Sequence, residues 1–351
     1  MGVRGVSREW IRSYLENRKQ YVSIGNDESC QSGVKYGVPQ GSVLGPLLFI
    51  AYINDMSQCS NLLNFVHYAD DSTAFCSSDN LNALYATIES ELLKIEEWMC
   101  SNRLSINISK TEYMIISSRP VPNERVIRVR GIEIKRVSSA EFLGVTLDDK
   151  LNFKFQVDRI CTKLSRATGI LYRMSSLVSR QVLIKIYFAV IYPHLTYAIT
   201  SWGGAGSVGT SRITRAHKRA LKIIGTGSCG DYLAPNKLLT YDSVHRYFVL
   251  IKMHKLIKDR EHLGFVQEID KLYPMHQFPT RFNESLNLNV PKFTKSTCQQ
   301  SFLYRGVSHW NLLPNYLKSC NSLLVFKYKL KHHLIASQDV SGYISSSCTN
   351  N

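Results

Sequence analysis

The spacing of apolar residues along the first 150 residues predicts helices in some segments and strands in others. Residues 81–99 repeat apolar side chains at steps of three and four, which predicts an amphipathic helix capped by Asp79 or Asn80. Runs rich in aromatic and branched residues at 62–68 and 72–76 predict two strands. The short polar connection Ala69-Asp70-Asp71 joins them, so the pattern predicts a β-hairpin with two carboxylates at its tip.

The remaining elements of this region are shorter. The pattern predicts a helix over 7–18, an extended segment over 20–24 and, after a Gly- and Pro-rich loop, a buried helix over 43–56. Ser42 is the expected N-cap of that helix. Strand-like alternation returns at 106–116 and 126–137, with a turn expected at Gly131, and again at 142–145.

From Phe153 onward the pattern is mainly helical. Two predicted helices each carry an apolar stripe and a separate basic stripe. The apolar stripes are Val157, Ile160, Leu164 and Leu171, and Ile213, Ala216, Ala220 and Ile224. The basic stripes are Arg159, Lys163, Arg166 and Arg173, and Arg212, Arg215, Arg219 and Lys222. The Ser- and Asn-rich end after Gln338 predicts a frayed tail.

The charged residues are distributed unevenly along the chain. The 351-residue chain has a formal net charge of +16. Residues 1–118 hold 9 Lys and Arg against 13 Asp and Glu, a net −4, and residues 119–351 hold 34 against 14, a net +20. The basic part is therefore the candidate for binding a polyanion such as RNA or DNA, although a basic surface that only aids solubility remains the alternative.

The cysteines and the apolar stretches indicate where the protein is expected to be found in the cell. The nine cysteines show no metal-site spacing and no dense disulfide pattern, which favours free, mostly buried thiols. No signal-like segment opens the sequence, and the longest apolar stretches, 43–53 and 182–191, are too short for a membrane span. We expect a cytoplasmic or nuclear protein that is neither secreted nor membrane-bound.

Adjacent aspartates at a hairpin tip suggest metal chemistry. Their carboxylates repel each other, and a divalent cation relieves that repulsion. Mg²⁺ prefers carboxylate oxygens completed by substrate phosphates and water, as in two-metal phosphoryl transfer. The simpler alternative is that Asp70-Asp71 serves only as turn chemistry.

The upstream segment favours the metal interpretation. Residues 37–49, Gly-Val-Pro-Gln-Gly-Ser-Val-Leu-Gly-Pro-Leu-Leu-Phe, followed by Tyr68-Ala69-Asp70-Asp71, resemble the reverse transcriptases of non-LTR (LINE) retrotransposons, with the Jockey-like group nearest. The resemblance continues in order through 107–111, 142–144, Trp202-Gly203 and 310–314, and so covers nearly the whole chain.

This resemblance implies an RNA-directed DNA polymerase that uses Mg²⁺, deoxynucleoside triphosphates, an RNA template and a DNA primer or RNA–DNA duplex. It implies that Asp70 and Asp71 are catalytic metal ligands, and that Gln40, Gly41, Tyr68 and Lys110 contact template, nucleotide or phosphate. It further implies that Phe142, Leu143 and Gly144 form the primer grip, and that the basic stripes follow duplex phosphates. Turn roles for Gly41 and Gly144, a solvated Lys110 and a core Phe142 remain alternatives.

Two further groups of side chains have simpler alternatives. Five aromatic residues of the basic region could stack on bases or sugars, but at helical spacing they are more typical of core: Tyr172, Tyr187, Phe188, Tyr192 and Tyr197. His332-His333, beside Lys329 and Lys331, is interpreted as a basic helix end rather than as a metal site.

In the reverse transcriptase family, the palm carries another metal-binding aspartate on a strand that would lie upstream of Gly2. This sequence shows no counterpart of that strand. We therefore expect a 5′-truncated α+β chain: a partial right-hand polymerase palm with an antiparallel sheet at 1–149, a helical thumb at 150–235 and a helical C-terminal region at 236–351. With one metal ligand missing we expect the isolated chain to be inactive. A non-catalytic nucleic-acid-binding remnant and a relic that does not fold are the alternatives.

Overall fold

A computed structural model describes residues 2–122, 125–225, 232–259, 263–273, 286–293 and 296–340. The frayed tail expected after Gln338 falls mostly outside these residues. Contacts divide the chain into two compact units. Unit 1 comprises Met1–Tyr113 and Pro122–Arg136, and unit 2 comprises Met114–Val121 and Val137–Asn351. This division falls after Arg136, whereas the sequence pattern placed a palm boundary at 149; the palm, thumb and C-terminal assignments stay predictions.

Unit 1 contains three α-helices and short strands. The helices are α1 (Val6–Leu15), α2 (Leu44–Ile53) and α3 (Leu81–Ser101), with a 3₁₀ turn at Met56–Cys59. The strands are β1 (Lys19–Gln20), β2 (Ser23–Ile24), β3 (Asp27–Glu28), β4 (Ser32–Gly33), β5 (Asn64–Tyr68), β6 (Asp71–Phe75), β7 (Glu112–Tyr113), β8 (Arg128–Val129), β9 (Ile132–Glu133) and β10 (Lys135–Arg136). Asn80 caps α3 as predicted, since its side chain accepts hydrogen bonds from the amides of Asn82 and Ala83.

The strands of unit 1 pair only in twos. β1–β4, β2–β3, β5–β6 and β8–β9 are antiparallel, and β7–β10 is parallel. The β8–β9 turn at Arg130-Gly131, both at positive φ, confirms the turn predicted at Gly131. The predicted antiparallel palm sheet is thus represented, in the part of the chain that is described, by separate two-stranded sheets.

Burial of α2 differs from the prediction. Its sequence is apolar throughout, yet only Gly45 and Ile53 are buried, while Leu47 is 63% and Ile50 is 51% exposed. The core of unit 1 is correspondingly small and centres on α3, with Met56, Leu63 and Ile95 in contact. A continuous apolar run indicates a buried helix only where enough neighbouring elements pack on it.

Unit 2 begins with the strands β11 (Ser139–Phe142) and β12 (Val145–Asp148), which form an antiparallel hairpin. Its helices are α4 (Lys154–Met174), α5 (Arg180–Val190), α6 (Tyr192–Thr196), α7 (Ile199–Trp202), α8 (Gly206–Ile224), α9 (Tyr241–His254), α10 (Leu263–Asp270), α11 (Ser296–Gln299), α12 (Phe302–Asn311), α13 (Asn315–Lys318) and α14 (Leu323–Ser337). A π-helical turn at Lys255–Asp259 extends α9.

One large apolar core holds these helices together. α4 packs against α8, and α9 packs against α12 and α14. The predicted apolar stripe of α4 is buried, with Val157 1%, Leu164 1% and Leu171 0% exposed. On α8 the core includes Ile213 and Ala220 as predicted, and it also includes His217, which the pattern did not assign.

Two of the segments that resemble the reverse transcriptases contribute a buried tryptophan to this core. Trp202 is fully buried and donates its indole hydrogen bond to the carbonyl of Tyr197 at 2.7 Å. Trp310 is 2% exposed and donates to the carbonyl of Leu286 at 3.1 Å. The neighbouring Asn311 side chain accepts from the amide of Leu288 and donates to its carbonyl. These tryptophans therefore have structural roles in unit 2.

The thiol prediction is corrected in one respect. No disulfide is found among the described residues, but of their seven free cysteines only Cys320 is buried. Cys30, Cys100 and Cys298 are exposed. In the described ranges, no helix combines the length and apolar character that a membrane span requires.

Candidate metal and nucleic-acid sites

The hairpin formed by β5 and β6, here the aspartate hairpin, presents the two predicted metal ligands. Five residue pairs hold its strands in register, from Asn64 with Phe75 to Tyr68 with Asp71. Ala69 and Asp70 form the two-residue turn, and Ala69 has a φ of 52°. Positive φ at the first turn residue matches the twist of the strands, so the hairpin and its tip are as predicted.

Both carboxylates of the tip are open to solvent. Asp70 and Asp71 are exposed, as is Tyr68 at 65%. Nearby, His67 and Ser72 lie across the strand pair with Nδ1 and Oγ 2.9 Å apart. No hydrogen bond or ion pair to another described residue engages the Asp70 or Asp71 carboxylate, so both are available to a cation.

The carboxylates of the tip fit Mg²⁺ only in part. Mg²⁺ uses one or two protein carboxylates and completes its octahedron with substrate phosphates and water. Two adjacent carboxylates meet that need for one ion. Across the described ranges, no three His, Cys, Asp or Glu side chains form a group that could hold a metal. A two-metal centre therefore requires a donor besides these two.

The loop before α2 positions Gln40 and Gly41 by backbone geometry. Gly37 and Gly41 have φ values of 86° and 78°, which favour glycine. The Ser42 hydroxyl donates to the carbonyl of Pro39 at 2.8 Å and accepts from the amide of Gly45 at 3.0 Å. Ser42 therefore binds the first turn of α2, but the N-cap position itself is Val43 and not Ser42 as predicted. Gly41 has a turn role in the structure, and Gln40 beside it is exposed.

Lys110 lies in a turn after α3. Its amide donates to the carbonyl of Asn107 at 3.1 Å, and its side chain is exposed. The amide of Thr111 donates to the same carbonyl at 3.0 Å. No hydrogen bond or ion pair among the described residues joins Lys110 to the aspartate hairpin.

Residues Phe142, Leu143 and Gly144, here the grip turn, close the β11–β12 hairpin in unit 2. Phe142 pairs with Val145, while Leu143 and Gly144 have φ values of 47° and 77°. The sequence pattern predicted a strand through this segment, and the structure places a two-residue turn in it. Positive φ at both turn residues requires the small side chain of Gly144.

Sequence reasoning missed two residues that support the β11–β12 hairpin, one at the grip turn and one where β12 meets α4. Tyr197 donates its hydroxyl hydrogen bond to the carbonyl of Leu143 at 2.6 Å, and its ring lies against Gly144. Asp148, which is 3% exposed, accepts amide hydrogen bonds at the junction between β12 and α4. The role of Tyr197 arises from a contact made in the folded unit, whereas Asp148 binds amides only a few positions along the chain, as aspartates at turns often do.

The predicted basic stripes lie on α4 and α8 with different degrees of pairing. Arg159 pairs with Glu141 at 2.9 Å, and Arg212 of α8 pairs with Asp158 of α4 at 2.6 Å. Four other arginines are exposed, with no ion pair found for them among the described residues: Arg166, Arg173, Arg215 and Arg219. Lys222 is exposed and Lys163 is half-buried.

The aromatic residues of this region divide between core and surface. Tyr187 is 1% exposed, and its hydroxyl lies 2.8 Å from Nε2 of the buried His217. Its ring also packs edge-on against Phe188, with the centroids 5.1 Å apart. Tyr192 packs on Phe188 at 5.2 Å, and burial raises the pKa of Tyr192 to about 12. The core alternative is therefore right for Tyr187 and Tyr192, whereas Tyr172 is 70% exposed.

Comparison with known proteins supports the resemblance to reverse transcriptases. Residues 2–147 match the family model described as reverse transcriptase (RNA-dependent DNA polymerase). The matched segment contains the loop at 37–45, the aspartate hairpin and the grip turn. This segment, about two fifths of the chain, is therefore similar to reverse transcriptases. No solved structure matches it.

Individual relatives agree with this family. The chain is 29% identical over 227 residues to the probable RNA-directed DNA polymerase from transposon BS of Drosophila melanogaster, covering 61% of this chain and 25% of that protein. It is 29% identical over 224 residues to the corresponding protein from transposon X-element of the same fly, covering 61% and 24%. It is 26% identical over 225 residues to the RNA-directed DNA polymerase from mobile element jockey, covering 61% and 24%. The chain thus spans about a quarter of the length of these curated relatives.

Proposed function

We propose that this chain forms part of an RNA-directed DNA polymerase that extends a DNA primer on an RNA template with deoxynucleoside triphosphates. The observation that carries this proposal is the pair of exposed aspartates on a two-residue turn, within the segment that matches the reverse transcriptase family. The two carboxylates have no described structural partner, which leaves a metal-binding role as the reason for their placement.

Asp70 and Asp71 would hold Mg²⁺ in this function. Bound Mg²⁺ lowers the pKa of an attacking hydroxyl and stabilises charge on the phosphoryl oxygens. Asp70 lies within the turn and Asp71 begins β6, so both carboxylates leave the backbone at the hairpin tip. The proposal assigns Asp70 as the principal ligand.

Template and nucleotide contacts are proposed for Gln40, Gly41, Tyr68 and Lys110. Their exposure supports the assignment, since each side chain or backbone is open to a ligand. Gly41 leaves open space where a Cβ would stand, so the backbone there can approach a nucleotide closely. Lys110 supplies a cation for a phosphate.

Duplex binding is proposed for unit 2. The grip turn would contact the primer strand through its exposed backbone at Gly144. The exposed arginines of α4 and α8 would contact phosphates without reading bases. Arg159 and Arg212 already pair with carboxylates, so we assign them smaller contributions than Arg166 and Arg173.

The aspartate hairpin needs one further carboxylate for polymerisation. Among the described residues, no third His, Cys, Asp or Glu side chain joins the two aspartates in a metal-binding group. We propose that a segment beyond the described residues supplies it. Exposed Val66 and Phe75 on the hairpin, together with exposed Leu47 and Ile50 on α2, support this view because they offer apolar surface to such a segment.

The second candidate function is a nucleic-acid-binding remnant without catalysis. The basic helices favour it, because phosphate binding by unit 2 needs neither metal ligand. A chain that does not fold is the third possibility, and the large helical core of unit 2 argues against it. Its signature is aggregation without a cooperative unfolding transition.

Primer extension by the purified chain separates these functions. We expect no Mg²⁺-dependent synthesis on an RNA template, together with binding of the RNA–DNA primer–template. Titration calorimetry should then show Mg²⁺ binding that D70N removes and D79N retains. Asp79 is an exposed aspartate in the same unit with no described partner, so D79N is the matched control. Synthesis that D70N abolishes means that the chain completes its own metal site. Mg²⁺ binding equal in both variants argues against the metal role of Asp70.

Salt dependence tests duplex binding directly. R173Q should reduce the slope of log Kd against log salt by about 0.9, the value expected for one lost phosphate contact. R12Q is the control, because Arg12 of unit 1 is exposed and pairs with Glu9. A flat salt response of the parent chain contradicts the assignment of α4 and α8 to duplex phosphates.

A further inference from the structure

Helix α14 is anchored firmly by one face. Phe326, Leu330 and Leu334 are each 0% exposed and recur at every fourth position. The Phe326 ring stacks on His254, with centroids 4.4 Å apart, and lies 6.2 Å from Trp310. The helix is therefore a rigid part of unit 2, and its opposite face has a fixed arrangement.

That opposite face also carries apolar and aromatic side chains. Leu324 is 77% exposed and Tyr328 is 68% exposed, and His332 follows at the same spacing of four. The rings of Tyr328 and His332 lie 4.5 Å apart at 58°. We call Leu324, Tyr328 and His332 the platform face. It presents a preformed pair of rings to solvent.

Lysines border the platform face on both sides. Lys327 and Lys331 are one turn apart on one side, and Lys329 lies on the other. Residues 322–338 contain no Asp or Glu. Burial, and secondly the charge of nearby Lys237, lower the pKa of Lys331. Positive charge therefore accumulates here, and a bound anion would reduce the repulsion.

We propose that the platform face is a docking surface for single-stranded nucleic acid, in which bases stack on Tyr328 and His332 while the flanking lysines contact phosphates. Stacking on aromatic side chains combined with a cationic border is the general chemistry of single-strand binding. A duplex conceals the faces of its bases and would use only the lysines. This surface is separate from the residues assigned to metal and duplex binding, and it does not depend on their function.

A protein partner fits this surface less well. Protein interfaces bury aromatic residues but are depleted in lysine, because burying an ammonium group costs free energy. Here Lys327, Lys329 and Lys331 surround the exposed rings within one helix. A polyanion satisfies those charges at the rim while the rings are covered.

Fluorescence anisotropy with the full chain tests the proposal. The probes are fluorescein-labelled oligouridylate and oligothymidylate of about 12 nucleotides, and an RNA–DNA duplex of the same length. Y328A should raise Kd for the single strands about tenfold and leave Kd for the duplex unchanged. Y328F, which retains the ring, should bind like the parent chain. K331Q should lower the single-strand salt slope by about 0.7, whereas K271Q, in the turn after α10, should not.

Three results would overturn the proposal. Y328A binding single strands like the parent chain shows that the ring is not a stacking platform. An equal loss of duplex and single-strand binding shows a general electrostatic or folding effect. Sedimentation that changes from dimer to monomer in Y328A, with nucleic-acid binding retained, assigns the face to contacts between copies. A 4-thiouridine cross-link to the peptide that contains Tyr328 supports the proposal, and its yield with RNA against DNA probes identifies the preferred strand.

Discussion

The junction between the grip turn and α4 depends on one buried aspartate, and Asp148→Asn tests that dependence. Asp148 Oδ1 accepts from the amides of Lys150 at 3.1 Å and Asn152 at 3.0 Å, and Oδ2 accepts from the amide of Phe153 at 2.6 Å. Leu151 and Phe153 have φ values of 51° and 56°. Three hydrogen bonds therefore stabilise a backbone conformation that is unfavourable for both residues.

The magnitude follows from these contacts. Asparagine keeps the shape and can retain the two hydrogen bonds to its oxygen, now without charge. Its NH₂ group would face the amide of Phe153, so one charge-assisted bond, contributing roughly 1.5–3 kcal/mol, is lost. Weakening of the other two adds a smaller amount. We expect Asp148→Asn to lower the free energy of unfolding of unit 2 by about 3 kcal/mol.

Urea unfolding followed by helical circular dichroism measures this loss. Asp149→Asn is the matched control, since Asp149 makes backbone hydrogen bonds in the same loop but no described side-chain bond. Hydrogen exchange should also accelerate at the amides of Lys150, Asn152 and Phe153. Stabilities of the two variants within about 0.5 kcal/mol of each other would refute the reasoning, because that is the ordinary range for surface substitutions.

Three substitutions test other parts of unit 2. Gly144→Ala places a Cβ at a φ of 77° and 3.4 Å from the Tyr197 ring, so the free energy of unfolding should fall by about 1–2 kcal/mol in urea; no change would contradict the turn geometry. Gly203→Ala brings a Cβ to 2.4 Å from the carbonyl oxygen of Ile199, and a loss of about 3 kcal/mol should appear as a lower Tm; a parental Tm would show that α7 yields easily. Burial lowers the pKa of His217 from 6.5 to about 3, so the unfolded chain binds the proton more readily and stability falls as pH drops below about 6.5. His217→Gln should therefore lose about 2–3 kcal/mol less than the parent chain between about pH 7.5 and 4.5, and equal losses would place the acid sensitivity elsewhere.

Sequence patterns predicted the elements whose spacing is regular. The aspartate hairpin has two alternating runs and a polar connection; its turn lies at Ala69-Asp70 within the predicted connection, and Asp71 is the first residue of β6. The cap of α3 and the buried face of α4 were also right, because Asn80 precedes a clear repeat and Leu164 and Leu171 share one stripe. In each case local spacing alone defines the element.

Other features depend on tertiary contacts that spacing does not encode. The apolar run of α2 has no periodicity and so no defined buried face, and Leu47 proved exposed. Tyr197 looks like an ordinary loop residue in sequence, yet its hydroxyl reaches the carbonyl of Leu143 and supports the grip turn. The partners of Arg159 and Arg212 likewise come from other elements. Helix α14 is apolar on two faces, so its pattern could not show which face packs.

Motifs shared with the reverse transcriptase family have two distinct physical meanings in this chain. Trp202 and Trp310 are buried and hydrogen-bonded, so their placement is explained by stability. The residues at the tip of the aspartate hairpin, by contrast, are not explained by stability. Ala69 occupies a left-handed conformation that favours glycine, and the adjacent Asp70 and Asp71 repel each other without a described partner. A tip selected for stability would place a turn pair such as Asn-Gly there. A local free-energy cost with no compensating contact is the expected mark of residues placed for a ligand, which supports the proposal that a divalent cation binds at this tip.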